Sequence, residues 1–311
     1  MKSAPANPAS GILFVDKPQG ITSHDVVARA RKAVGTRKVG HAGTLDPMAT
    51  GLLILGVNAA TRLLTYIVGL DKEYTATIRL GSASTTDDAE GELLAEAPPR
   101  GLADVTDVAI SAGAVQFTGT ILQRPSSVSA IKVDGKRAYA LAREGAPVEL
   151  APRSVTVSAF EVLAVRRHEW IDVDVRVECS SGTYIRALAR DLGELLGVGG
   201  HLTALRRTRI GPFRVDAAVG LDEPLGERML APASVAASLY PRLDLTAPEA
   251  TDLAHGKRIA LPGSGVRAAI APDGRLVGLV EAVDGRAVVL ANFPPDPATT
   301  PPPESTTGDQ T

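Results

Sequence analysis

Residues 40–53 read "GHAGTLDPMATGLL": three glycines, one proline, small side chains, and a single carboxylate, Asp46. No other acid lies between Asp25 and Asp71, and an imidazole, His41, stands just ahead. A phosphate-cradling loop would need its glycines to end in Gly-Lys-Ser/Thr, and that lysine is absent. A zinc site would need converging His or Cys ligands, and His41 has no spaced partner nearby. A glycosidase needs two carboxylates flanking the sugar bond. A metal-dependent nucleotidyl site usually pairs acids as well. What remains is a lone carboxylate working on an uncharged centre. Pro47 fixes the backbone behind it, and the glycines let a large substrate come close. On the loop alone a structural reading stands beside this one, with Asp46 as the cap of a short helix begun by "PMATGLL".

The elements that must hold this loop are legible from periodicity. "GILFVDKPQG" reads as a short buried strand and a Pro/Gly loop. Residues 22–35 predict a helix: Thr22 and Asp25 have capping-box spacing, Val26, Val27, Ala30 and Val34 share a face, and Gly35 stops it. "NAATRLLTYIVG" predicts a second short helix capped by Asn58. "KEYTATIRLG" alternates, with Tyr74, Ala76, Ile78 and Leu80 on one face. "WIDVDVRVEC" alternates likewise, with Ile171, Val173, Val175 and Val177 inward. Half-buried alternation of this kind indicates antiparallel pairing rather than a parallel α/β sheet. "GTYIRALARDLGELLG" carries Ile185, Leu188, Leu192 and Leu195 at helical spacing, and "HLTALRRTRIGPF" predicts a strand ending in a turn.

After Pro241 come short strands with Asp-Gly turns at 273–274 and 284–285, which predict a small separate β domain over 241–293. Residues 1–9 predict a disordered leader, 10–240 a catalytic domain, and 294–311 a Pro/Thr-rich disordered tail that cannot bury a core. With 311 residues and a net charge of −2, the whole molecule is not a polycation, so nucleic-acid binding would need a local patch. Residues 16–62 hold seven Lys/Arg against three Asp/Glu, and residues 180–214 six against two. Residues 71–107 hold three against nine. The two basic segments make one basic face if the fold joins them; otherwise they are ordinary solvated faces. Cys179 is the single cysteine, which excludes an internal disulfide and fits a reducing compartment. No apolar run approaches the ~20 residues that span a bilayer, and "MKSAPANPAS" lacks a signal peptide's apolar region. A cytoplasmic protein is expected.

"KVGHAGTLDPMATGLL" resembles the catalytic motif of the pseudouridine synthases, most closely the bacterial tRNA pseudouridine-55 synthase (TruB-type) family. Six further stretches match in the family's order: "VDKPQGITSHDVV", "DKEYTATIRLG", "TDDAEGEL", "RPSSVSAIKVDGKRAYALAREG", "CSSGTYIRALARDLGELLG" and "HLTALRRTRIGPF". Together they cover about residues 11–214. One departure is Ser126, which stands where the family usually has a proline.

The resemblance implies an α+β fold: a large mixed, mainly antiparallel sheet flanked by helices and loops around a central cleft, plus a small C-terminal PUA-like β domain. It implies isomerisation of uridine to pseudouridine at position 55 in the T-arm loop of tRNA by base flipping, with no cofactor and no metal. Asp46 inherits the role of catalytic aspartate, as nucleophile toward C1′ or as base toward the C2′ proton. Arg186 matches the arginine that pairs with it, so an Asp46–Arg186 ion pair is expected. Tyr74 matches the active-site tyrosine, Leu205 the apolar residue on the uracil's other face, and Tyr184 a pocket wall. His41 matches a residue that enters the space the flipped base leaves. Lys17, Arg37, Lys38, Lys132, Arg206 and Arg207 are candidate phosphate contacts, and Asp88 with Lys132 would order the binding loops. A tRNA partner, no membrane and a monomer are expected. Competing readings are an idle RNA-binding or RNA-folding protein on the same scaffold, a synthase acting on another RNA, and a carboxylate hydrolase using Asp87 or Asp88 as second acid.

Overall fold

The computed structural model describes residues 9–94, 101–126, 132–133, 136–137 and 150–296. The leader and the tail lie mostly outside the described residues, as does most of the stretch that follows Ser126.

Fifteen strands are described. They are β1 (Gly11–Lys17), β2 (Val39–His41), β3 (Thr50–Val57), β4 (Lys72–Leu80), β5 (Gly119–Gln123), β6 (Lys132–Val133), β7 (Lys136–Arg137), β8 (Arg153–Arg167), β9 (Ile171–Cys179), β10 (Gly200–Ile210), β11 (Phe213–Arg214), β12 (Arg242–Asp244), β13 (Gly265–Ile270), β14 (Leu276–Val283) and β15 (Arg286–Asn292). Nine form one sheet in the order β1-β3-β10-β4-β9-β8-β5, with β2 beside β3 and β11 beside β10. Every pairing in it is antiparallel except β3 with β10. The α+β expectation and the mainly antiparallel sheet therefore hold. On β4 and β9 the alternation works as read: Ala76, Ile78, Val173 and Val175 enter the core, while Arg79 pairs with Asp172 on the outer face.

The parallel β3–β10 seam joins the chain's two basic segments. Arg206 and Arg207 lie opposite Thr50 and Gly51. Gly51 has φ +99°, and a Cβ there would fall against the Arg207 backbone carbonyl. Gly51→Ala is thus expected to lower the unfolding free energy by about 2 kcal/mol or more, read by urea denaturation, because it meets a left-handed backbone and a main-chain clash together.

Helix α1 (Ser23–Val34) has the expected Thr22–Asp25 capping box and ends at Gly35 with φ +71°. The expected Asn58-capped helix is corrected. Asn58 itself has φ +54°, and residues 58–63 form a tight 3₁₀ turn before the short helix α2 (Leu64–Val68). Helix α3 (Asp107–Gln116) packs on β8 and on α4 (Ile185–Leu196), whose inner face is Ile185, Leu188, Ala189, Leu192 and Leu196. Leu195, expected on that face, is 46% exposed: α4 buries Leu196 instead, and Gly113 of α3 meets Leu192.

Strands β12–β15 form a second sheet, and both Asp-Gly turns sit between its strands, with φ positive at Gly274, Asp284 and Gly285. This sheet is not detached from the first. Ala268, Ile270, Leu276 and Leu279 share a core with Ile12, Leu52 and Ile54, bridged by Ala233 and Ala236 of helix α5 (Pro232–Leu239).

Candidate active site

The chain turns between β2 and β3 through residues 42–49. Both shoulders of Asp46 are tied down. Ahead of it, Ser23 at the buried start of α1 donates to the Leu45 carbonyl at 3.0 Å and accepts from its N–H at 2.9 Å. Behind it, the Pro47 carbonyl accepts from Gly20 N–H at 2.9 Å and from Lys17 Nζ at 3.3 Å. Leu45, Met48 and Ala49 are buried in the main core. The helix that would have made Asp46 a mere cap does not form, because the chain enters β3 at Thr50.

Arg186 projects from the first turn of α4, buried, with Nε 3.1 Å from Asp46 Oδ2. Its Nη1 reaches Asp88 Oδ2 at 3.2 Å and the Thr86 carbonyl at 3.1 Å. One guanidinium is thus held between two carboxylates. Asp88 is 1% exposed, and its other oxygen accepts from Glu90 N–H and Thr86 Oγ1. Asp46 is 36% exposed, and that surface opens into a cleft of ≈ 270 Å³. Burial pushes the Asp46 carboxyl above the ordinary carboxylate value, reinforced by Asp88 and opposed by Arg186, Lys17 and Arg207.

The cleft is also lined by Tyr74 of β4 and by Leu205 and Arg207 of β10. Tyr184 and the Ser180–Thr183 turn close another side. Burial raises the Tyr74 phenol above its ordinary value. Asp46, Arg186, Tyr74, Leu205 and Tyr184, drawn from three elements and two connecting segments, therefore meet at one cavity.

Other residues fall elsewhere. Lys17 is fully buried, and its ammonium donates to the carbonyls of Ile21 (2.7 Å), Pro18 (3.0 Å) and Pro47. That corrects the surface phosphate contact expected of it; burial holds its pKa down to about 8. Arg207 is corrected likewise. It is 1% exposed and donates to Leu52 O (2.8 Å), Gly43 O (3.1 Å) and Thr44 O (3.5 Å), so it braces the loop that carries Asp46 from inside. Arg206 faces outward but is committed to Asp16 through two bonds of 2.7 and 2.9 Å. Arg37 and Lys38 are exposed, as are Arg29 and Lys32 of α1, with Arg29 close enough to Asp25 to lower its pKa. The basic face thus lies on α1 and its loop. His41 is half-buried at the end of β2, its ring edge-on to His24 at 5.7 Å, away from the cleft lining. Lys132 lies on β6, with its side chain outside the described residues. Ser126 is buried.

Three functional neighbours were missed from sequence. Gln123, 1% exposed, clamps the Tyr184 peptide, accepting from its N–H at 2.8 Å and donating to its carbonyl at 3.0 Å. Arg190, one turn beyond Arg186, reaches Asp87 at 3.2 Å and the Arg124 carbonyl at 2.8 Å. Lys72 sits under the cleft, donating to Val68 O and Leu70 O. Each contact joins residues far apart in sequence or uses a side chain with no motif of its own.

A family model described as "TruB family pseudouridylate synthase (N terminal domain)" matches residues 31–185. Models described as "tRNA pseudouridylate synthase B C-terminal domain" and "tRNA Pseudouridine synthase II, C terminal" match residues 186–236 and 240–294. A protein named tRNA pseudouridine synthase B from Leifsonia xyli subsp. xyli (strain CTCB07) is 61% identical over 294 residues, 92% of this chain and 97% of its own. One of the same name from Arthrobacter sp. (strain FB24) is 56% identical over 300 residues, 92% and 97%. Among solved structures, a Cbf5-Nop10-Gar1 complex matches with a TM-score of 0.69 at 27% identity, covering 92% of this chain and 85% of the other.

Proposed function

The chain belongs to the TruB family of pseudouridylate synthases, and from that premise we propose that it isomerises uridine to pseudouridine at position 55 in the T-arm loop of tRNA, with Asp46 as the essential carboxylate. The observation that carries the reading is the Asp46–Arg186 contact of 3.1 Å at a cleft walled by Tyr74 and Leu205. The N1–C1′ bond breaks, the uracil turns in the cleft, C5 bonds to C1′, and C5 gives up its proton. Nothing is oxidised and no water is consumed, so one carboxylate, used twice at one sugar, suffices. Asp46 serves as nucleophile at C1′ or as base at C2′, and both roles need it ionised. Arg186 keeps it so against burial.

A uridine inside a folded T-arm loop must be turned out to reach this cleft. His41, beside the loop, fills the space it leaves, and Arg37 and Lys38 lie on the surface next to it to take phosphates. Residues 10–240 act as the catalytic domain and 241–293 as an accessory β domain. The chain works as a monomer in this reading, in the cytoplasm where its tRNA substrate is made. The hydrolase reading needs a second carboxylate facing substrate. Asp88 is the nearest, and it sits behind Arg186, buried and outside the cleft lining.

Incubation with an unmodified tRNA transcript, followed by chemical mapping of pseudouridine, tests the proposal; conversion of no uridine would end it. The raised Asp46 pKa adds a pH signature. The active form is ionised, so activity falls as pH drops through that pKa. The acid limb of kcat/KM is expected above the ordinary carboxylate range of about 4; a profile flat down to pH 4 would show that the carboxylate the reaction needs is not one raised by burial.

A further inference from the structure

Arg207 is a buried cation with no carboxylate in contact among the described residues. Its donors go to three main-chain carbonyls, of Leu52, Gly43 and Thr44. Its charge is felt by its neighbours: it lowers the pKa of both Lys17 and Lys72, each held down to about 8 with burial the larger cause. Burying a charge without an ion pair is costly, and such groups persist where their field is used.

The sheet register says where the field points. Arg207 lies directly opposite Tyr74 on the antiparallel β4–β10 pair, so the two side chains share a face and both line the cleft. The guanidinium lowers the Tyr74 phenol's pKa against the burial that raises it, so the two groups lie within electrostatic reach. A guanidinium only donates, so toward it the phenol oxygen can only accept, which leaves the O–H for the cleft. Asp46 lines the same cleft. The base that leaves the ribose is held within reach of all three.

We propose that Arg207, acting through the Tyr74 hydroxyl, stabilises the uracil anion that departs when the N1–C1′ bond breaks; this rests on the cleft being the isomerisation site. The bond's electron pair goes to N1 and spreads onto the ring oxygens. C1′ either bonds to Asp46 or forms a double bond to C2′ as Asp46 takes the C2′ proton. The Tyr74 O–H donates a hydrogen bond to the anion and keeps its proton, as a phenol whose pKa burial has raised will do. The anion then bonds to C1′ through C5 as Asp46 leaves C1′ or returns its proton to C2′, and the C5 proton passes to solvent. Arg207 is a positioning residue in this scheme, and Tyr74 is the group that touches the base.

The test is leaving-group dependence, in single turnover, on tRNA carrying uridine or 5-fluorouridine at the target. Fluorine makes the uracil a better leaving group, and its C5 has no proton to lose. Arg207→Gln is expected to slow uridine about 10²-fold and 5-fluorouridine only about 10-fold. Arg207→Lys, which keeps the charge, should retain the parent ratio. Equal losses on both substrates would mean that Arg207 only braces the loop. No loss on 5-fluorouridine would mean that the pair serves C5 deprotonation. Either result overturns the proposal. If the glutamine variant does not fold, Tyr74→Phe must show the same unequal loss. Turnover of uridine by the parent chain tests the isomerase reading separately.

Discussion

Asp46→Asn is expected to bind unmodified tRNA as the parent chain does and to leave its uridine unconverted, with single-turnover conversion down at least about 10⁴-fold. Asparagine has nearly the same shape and can still accept from Arg186 Nε, so the loop held by Ser23 and by Gly20 and Lys17 has no reason to move. What is lost is the negative charge, and with it attack at C1′ or abstraction at C2′. The sign of the stability change separates this from damage. The Asp46 pKa is raised in the folded state, so above the unfolded-state value the folded protein is disfavoured by having to ionise it. Removing the carboxylate removes that penalty. The variant's melting temperature at neutral pH is expected to equal or exceed the parent's, a common pattern where a strained site is retained for activity. A variant that is inactive and also melts earlier, or fails to bind tRNA, would not support the assignment.

The loop was legible because its chemistry is compressed into a few neighbouring residues: one acid, glycines and a proline. The strands around it were legible from alternation, since β4 and β9 each bury one face. What the sequence hid was contact across distance. Asp88 meets Arg186 across 98 positions, and nothing local marks either as the other's partner. Arg207 is more instructive. A period of two puts Leu205 and Arg207 on one face and Arg206 on the other, and Leu205 was already placed in the cleft. Charge pulled Arg207 to the surface in the sequence reading; strand geometry pulls it inward. Lys17 errs in the same way: it continues the inward positions of Leu13 and Val15 on β1, and its ammonium is satisfied there by the carbonyls of the turn it precedes. In both cases a residue type that usually marks solvent instead shores up the loop that carries Asp46 from behind.

Arg186→Ala carries the second large effect, and it is one of stability as well as rate. The guanidinium is nearly buried between Asp46 and Asp88, so its loss leaves two carboxylates facing one another with no cation between them. Removing one partner of a buried ionic group typically costs about 3–5 kcal/mol, and urea denaturation at neutral pH should show a loss of that order. Asp88, with its other oxygen bonded to Glu90 N–H and Thr86, stays in place, and its charge then pushes the Asp46 pKa further up. Two consequences distinguish this from general unfolding. The lost stability should be partly recovered as pH falls and Asp46 takes up a proton, since a raised carboxyl opposes folding only when ionised. The acid limb of whatever activity remains should move to higher pH than in the parent. Arg186→Ala/Asp88→Asn removes the facing charge while keeping the cleft. It should recover stability relative to the single variant and bring the limb back toward the parent, without restoring the rate, because no cation then holds Asp46 toward the ribose. A double variant that regained full turnover would show that Arg186 serves only to neutralise Asp88.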